Sequence, residues 1–440
     1  MPSNAPVCRV ADLMSRGQLL IGDGYRAKNE ELTSNGLPFA RAGNVSGGFH
    51  FEGADHVPAD LVRRLGSKVS QPGDVVFTSK GTVGRFAFVH QDTPTFVYSP
   101  QLCFWRSLDE DVVDPRFLYY WMQGREFYRQ FKGVAGQTDM AEYVSLADQR
   151  AMSISLPPIA QQRAVANILG SLDDKIEINR RVNETLEAIG RAIFKSWFID
   201  FDPVHAKANG RTTNLPIHLE SIFPNAFEDS ELGEIPQGWS VLPIDSCCTR
   251  IFSGGTPSTR VPTYWDGGVP WLSSGETRNK FVVTTTQTIT PLGAEQSSTR
   301  LARTGSTVIA SAGQGHTRGQ TALLMLDTFI NQSVVVLEAD EVTCSDLFLF
   351  FDLERRYQQF RQISDSSSSR GSLTTKMLAG LPTVLPPRPL IVEFERIASS
   401  LTTRIGSGLR QSEVLGSLRS ALLPRLLSGE IRPVGLGQGE

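Results

Sequence analysis

Cysteine is scarce in these 440 residues: Cys8, Cys103, Cys247, Cys248 and Cys344 make an odd five with no CxxC spacing. That excludes a disulfide framework and suits a reducing, cytoplasmic setting. An excess of charge is missing as well. Lys and Arg number 43 against 46 Asp and Glu, a formal net charge of −3, and no segment is a basic tail. A protein that holds a polyanion by bulk charge is thereby excluded, although a local basic face is not. No run of 18 apolar residues exists, so no membrane span is expected. The opening Met-Pro-Ser-Asn-Ala-Pro lacks the basic-then-apolar profile of a signal peptide. Catalytic motifs are absent too: no GxGxxG after a strand, no GxxxxGKS or GxxxxGKT, and no Asn/Asp-Pro-Pro-aromatic run of amino-methyltransferases. The six histidines (His50, His56, His90, His205, His218, His316) show no HxxxH spacing, so no metal site is expected. Pro72, Asp74 and Lys80 faintly suggest a metal-dependent nuclease, but no second carboxylate sits two residues before the lysine.

What is present is a globular composition, 40% hydrophobic and 20% charged, at a length that predicts two to four domains. The chain also repeats itself. Pro38-Phe39 with Gly43 and Phe49 recurs as Pro270-Trp271 with Gly275 and Phe281, a shift of 232. Gly73-Asp74-Val75-Val76 with Ser79 and Gly81 recurs as Gly305-Ser306-Thr307-Val308 with Ser311 and Gly313 at the same shift. Leu156-Pro157-Pro158 recurs as Leu385-Pro386-Pro387 at 229. A period this long is a duplicated domain pair, far above solenoid repeats.

Each half opens with short β-rich runs punctuated by Gly, Pro and Asn, with a few helices. The aromatic runs Phe117–Trp121 and Leu347–Phe351 read as packed helix faces. After each double proline comes one long helix. Heptad rows run Val165, Leu172, Asn179, Leu186, Ile193 and Leu169, Ile176, Asn183, Gly190, Trp197. In the second half the row is Phe394, Leu401, Gly408, Leu415, Leu422, with Asn179 and Gly408 at the mid-point breaks. Such an asparagine reads as a register or pairing device. Two matching stripes most economically bury each other. The expected fold is therefore α/β (α+β): two pseudo-twofold-related mixed α/β domains separated by a pair of long antiparallel coiled-coil helices. The proline-rich stretch Phe201–Ser240 is expected to be an irregular connection, and Pro424 to end or kink the second helix early.

Several stretches together resemble a known family. They are Leu232-Gly233-Glu234-Ile235-Pro236 with Gly238-Trp239, and Gly254-Gly255-Thr256-Pro257-Ser258 followed by Tyr264-Trp265. Leu156-Pro157-Pro158-Ile159 leads into Leu172-Asp173-Asp174-Lys175-Ile176. Then come Trp197-Phe198-Ile199-Asp200-Phe201-Asp202-Pro203 and Leu427-Ser428-Gly429-Glu430-Ile431. In this order they resemble the specificity (S) subunit of type I restriction-modification systems, over nearly the whole chain. The resemblance implies target-recognition domains over 1–157 and 237–385, spacer helices over 158–200 and 386–430, a linker over 201–236 and a tail over 431–440. It implies a non-catalytic reader of an asymmetric, bipartite duplex target. It also implies two methyltransferase subunits and restriction/translocase subunits as partners. S-adenosylmethionine and ATP/Mg would belong to those partners, with no cofactor in this chain.

Bases are read by Arg, Lys, Asn, Gln, Ser and Thr on loops held by a scaffold. Such residues fall at matching places in the two halves. The first half offers Arg41, Asn44, Ser79, Lys80, Thr82, Arg85, Gln137 and Thr138. The second offers Ser274, Thr277, Arg278, Ser311, Gln314, His316, Thr317, Arg318, Ser368 and Arg370. Partner docking is assigned, on the resemblance, to Trp197, Phe198, Asp200, Phe201 and Asp202. The coiled coil is assigned to Leu172, Asn179, Leu186, Leu401, Gly408 and Leu415. Two other readings stay open on the residues alone: a coiled-coil adaptor joining protein-binding domains, and a stand-alone nuclease or modification enzyme.

Overall fold

A computed structural model describes residues 5–80, 83–135, 144–313, 315–366 and 371–433. The chain divides into two units, Met1–Ile176 with Val414–Glu440, and Glu177–Glu413. No helix among the described residues is long and apolar enough to cross a membrane.

In the first unit, Leu19–Asp23, Leu102–Ser107, Val75–Thr78 and Phe86–Phe88 lie side by side in that order as an antiparallel sheet. The two central strands are β-branched and aromatic, and their side chains alternate between two buried faces. Val75, Phe77, Cys103 and Trp105 enter a core shared with the helix Pro115–Met122 and with Val165 and Leu169 of the long helix. Val76, Leu102 and Phe104 enter a second cluster with Phe96 and Tyr98. The smaller sheet Leu37–Ala40, His56–Val57 and Val97–Tyr98 lies on that side. Asp114 starts the aromatic helix by accepting the Phe117 amide at 2.7 Å, with Pro115 in its first turn.

The second unit builds the same frame. Cys248–Ser253, Val334–Ala339, Thr307–Ala310, Thr321–Leu324 and Phe281–Val282 form its main sheet. Ile309, Val335 and Leu337 face the aromatic helix Asp346–Glu354, whereas Val308, Val334 and Val336 face the other way. These are the positions of Phe77, Cys103, Trp105 and of Val76, Leu102, Phe104, displaced by 232.

The long helices span Ile159–Phe198 and Arg388–Leu427. Within the second unit they run antiparallel: Asn179 meets residues 408–412, and the Phe194 ring lies 5.4 Å from that of Phe394. The buried Asn179 amide donates to Gln411 Oε1 at 2.9 Å and to the Gly408 carbonyl at 3.3 Å, so the polar break is paired across the seam. Gly408 is buried, with Asn183 Oδ1 2.7 Å from where a Cβ would stand. Leu172, Leu186, Leu401 and Leu415 are half-buried.

Two expectations change. The helix passes through Pro424 to Leu427, because Leu426 is buried and Leu422, Leu423 and Leu427 pack against the first unit's core. Burial of about 1.5–3 kcal/mol per large apolar side chain offsets one lost backbone hydrogen bond. Nor is Phe201–Ser240 irregular. It forms the helices Asp202–Ala208 and Ile217–Glu220 and the hairpin Phe227–Ser230 with Gly233–Pro236. Val204, Leu219, Phe223, Ile235 and Trp239 bury themselves in the second unit's core, and a segment holding five such anchors cannot remain a loose tether.

The frames differ in their buried polar sets, one of which centres on Asp74. Asp74 is fully buried and accepts from Arg106 Nε at 2.6 Å, Arg106 Nη2 at 2.7 Å, the Tyr98 hydroxyl at 2.5 Å and the Gln71 amide at 2.8 Å. Burial beside this carboxylate pushes the Tyr98 hydroxyl well above the ordinary tyrosine range. The matching residues of the second unit are Ser306 and Glu338. Asp74→Ala, which strands the Arg106 charge, is expected to cost about 3–5 kcal/mol. Ser306→Ala is expected to stay within about 1 kcal/mol. Urea unfolding of the two variants checks the contrast.

Candidate nucleic-acid interface

In both units the loops at one end of the main sheet are drawn together by the residue that follows its central strand. Ser79 follows Val75–Thr78; its amide donates to the Gln101 carbonyl at 2.9 Å and its carbonyl accepts the Val144 amide at 3.3 Å. Ser311 follows Thr307–Ala310; its amide donates to the Ser333 carbonyl and its carbonyl accepts the Leu373 amide, both at 2.9 Å. Three separate segments are thus tied at one backbone position, twice. Ser79 and Ser311 are themselves buried, at 1% and 6% exposure.

Around Ser79, Gln101 Oε1 accepts the Ala42 amide at 3.1 Å, joining the turn that carries Arg41 and Asn44. Asn44 is spent on that turn, accepting the Arg41 amide and donating to the His50 carbonyl, each at 2.8 Å. Arg41 is exposed, pairs with Asp55 at 2.6 Å and stands 5.5 Å over the Phe39 ring. The exposed Arg85 donates to the carbonyls of Ala42 and Val45, both at 3.4 Å, so its guanidinium lies at the junction of the two loops. Lys80 is half-buried.

Around Ser311 the chemistry differs. Thr277 is fully buried and donates to the Ser274 carbonyl at 2.8 Å, which closes the turn Ser274–Arg278 and leaves Arg278 exposed. His316 is exposed, and its carbonyl accepts the Tyr357 hydroxyl at 3.1 Å. Thr317 is buried. Arg318 donates to the Gly371 carbonyl at 2.7 Å and pairs with Asp365, so it holds the loop in place. Thr82, Gln137, Thr138, Gln314, Ser368 and Arg370 lie outside the described residues.

The arrangement therefore sorts the sequence-derived residues. Ser79, Thr277, Ser311 and Thr317 are internal braces, and Arg41, Arg85, Arg278 and His316 are exposed donors. Sequence reasoning missed two braces. A Cβ on Gly24 would lie 2.0 Å from the Ser99 carbonyl oxygen, and one on Gly254 would lie 2.1 Å from that of Ile330. Only glycine admits such approach, and the 230-residue separation of the pair carried the signal. Beside Gly254, Thr256 Oγ1 donates to Gln332 Oε1 at 2.5 Å, which joins the Gly-Gly-Thr-Pro-Ser loop to the same end.

The docking residues separate in the same way. Trp197 and Phe198 are 5% and 2% exposed and pack on Phe223, Phe348, Phe394 and Trp239. They belong to the second unit's core and offer no free surface. Phe201 is half-buried at a φ of 52°, its ring perpendicular to that of Trp239 with centroids 5.4 Å apart. Asp200 and Asp202 remain exposed, Asp200 paired with Lys195. The four bonds that engage Asp74 leave it committed to the core. Among the described residues no three His, Cys, Asp or Glu side chains are grouped as metal ligands would be.

The chain matches the family described as Type I restriction modification DNA specificity domain twice, over residues 18–188 and 236–403. It is similar to the type I restriction enzyme HindI specificity subunit of Haemophilus influenzae, 25% identical over 409 residues that cover 83% of this chain and 88% of that one. It is also similar to the MjaIX specificity subunit of Methanocaldococcus jannaschii, 20% identical over 435 residues, covering 98% and 94%. In fold it is similar to the crystal structure of the S subunit of a type I restriction-modification system from M. genitalium, with a TM-score of 0.60, 14% identity and 97% of each chain covered. The duplicated frame and the two matches, which together span more than half the chain, lead to one conclusion: this chain belongs to the family of type I restriction-modification specificity subunits.

Proposed function

We propose that this chain is the non-catalytic DNA reader of a type I complex. It binds an asymmetric, split duplex target, one half-site per module, and scaffolds two methyltransferase subunits and the restriction/translocase subunits. Methyl transfer with S-adenosylmethionine, and cleavage with ATP and Mg, are the partners' work. The observation that carries this reading is one loop frame built twice with unlike exposed chemistry. The loops of the first module expose Arg41 and Arg85, and those of the second expose Arg278 and His316. Identical frames supply equivalent geometry, and different donors select different bases.

The near-neutral charge fits this division. Affinity for DNA comes largely from neutralised phosphates and falls with salt. A chain of net charge −3 has little of that to give, so the partners supply much of the phosphate clamp and this chain supplies discrimination. The helices then act as the ruler between half-sites.

Co-expression with a methyltransferase subunit, followed by mapping of modified adenines, is expected to give one split, asymmetric motif; a continuous motif would refute the proposal. In the same assay Arg278→Ala is expected to relax the second half-site alone, and Arg41→Ala or Arg85→Ala the first. The expected loss is about 1–3 kcal/mol of discrimination for each bidentate base contact removed. Inserting about four residues, one helical turn, near both Asn179 and Gly408 is expected to change the spacer while both half-sites persist.

A further inference from the structure

We infer that Gly190, Phe351 and the ion cluster Glu187–Arg191–Lys280–Glu354 form a positioning device that fixes the tilt of the second module's reading turn on the long helix, and so selects the spacer length accepted in the target. The inference rests on the DNA-reading function proposed above and adds to it the residues that set its geometry.

Gly190 sits inside the helix Ile159–Phe198, where glycine costs about 1 kcal/mol relative to alanine. Its φ is not positive, so backbone conformation does not require it. What requires it is the Phe351 ring: a Cβ at Gly190 would lie 2.7 Å from Phe351 Cζ, inside the 3.4 Å at which ordinary contact begins. The glycine is a notch, and the module's aromatic helix seats one ring in it. That ring is 4% exposed and also lies against Phe194, Phe350 and Phe394, with centroids 6.0, 5.2 and 5.6 Å away.

Charges flank the notch and point back to the module. Lys280 Nζ lies 2.8 Å from Glu187 Oε1 and 2.6 Å from Glu354 Oε1, and Arg191 Nη2 lies 2.9 Å from the same Glu354 oxygen. Arg191 also pairs with Glu187 along the helix. Two acids and two bases therefore join one helix face to two module elements. Glu354 is 14% exposed, and burial pushes its carboxyl above the usual glutamate range. Ion clusters of this kind add little net stability but are demanding in direction.

Their placement gives direction a functional meaning. Lys280 lies two residues after Arg278, the exposed donor of the reading turn, and its carbonyl accepts the Leu323 amide at 2.8 Å from the neighbouring strand. The turn that faces the target is thus two residues from the module's weld to the helix. A rise of about 3.4 Å separates successive base pairs, so a tilt of a few ångströms at the turn is one base pair of spacing.

The test uses the assembled methyltransferase complex and a DNA library that holds both wild-type half-sites and varies only the spacer. Gly190→Val and Lys280→Glu are each expected to move or widen the accepted spacer by one base pair while both half-site sequences stay as in wild type. Adding Phe351→Ala to Gly190→Val is expected to restore the wild-type spacer by opening the notch, and Lys280→Arg to keep it. Lys280→Gln, at a one-third exposed site, gives a second variant that leaves the core intact. A fall in melting temperature with spacer choice unchanged would mean a merely structural weld and would overturn the inference. So would a changed second half-site at an unchanged spacer. A wild-type complex that modifies no split motif would instead remove the DNA-reading proposal itself, so the two failures are distinguishable.

Discussion

Each module depends on a pair of central strands that have no solvent face. Val75–Thr78 with Leu102–Ser107, and Thr307–Ala310 with Val334–Ala339, are buried on both sides. A strand pair of this kind demands two covering layers. One is the aromatic helix together with a stretch of long helix; the other is the smaller sheet. Once both faces are committed, variation is left to the strand ends, and loops there can change without disturbing the core. Ser79 and Ser311 mark the boundary: they tie the loops through backbone atoms, which any residue but proline supplies, so the tie survives while neighbouring side chains diverge.

Two of the cations at that end are paired with acids of the same module. Arg41 is held by Asp55, and Arg318 by Asp365. A guanidinium braced by a carboxylate and a carbonyl keeps its planar fork in a fixed direction, which favours selection among hydrogen-bonding patterns over undirected attraction to phosphate.

Much of this frame was legible in the sequence because burial leaves periodic traces. The shift of 232 aligns Val76 with Val308 and Trp105 with Leu337, and these residues face equivalent clusters. The aromatic helices and the seam at Asn179 were legible for the same reason. Ser79 and Lys80 show where legibility ends. Adjacent positions at a strand end point to opposite sides, and composition gives no sign of which is the brace. Trp197 and Phe198 were misleading in the other direction, since an aromatic pair at a helix end suits a docking surface as well as a core. The prolines of residues 201–240 read as breakers of order, yet they separate short elements pinned by Phe223 and Trp239.

The Asp74 set shows how such a duplicated frame can diverge inside as well as outside. Where the first unit has Arg106 facing Asp74 and Tyr98, the second has Glu338, buried, 3.6 Å from Arg250, whose guanidinium stands 4.3 Å over Phe252. The polarity of the central strand's charge is reversed, and its partner has moved to the strand on the opposite side. A single change along that route would strand a charge in the core, at a cost comparable with much of a domain's stability. Apolar positions can drift one at a time, provided volume and pattern are kept. Buried polar groups can change only as complete sets, because each depends on its partners for hydrogen bonds and counter-charge. The result is two modules with one hydrophobic pattern and different internal polar wiring.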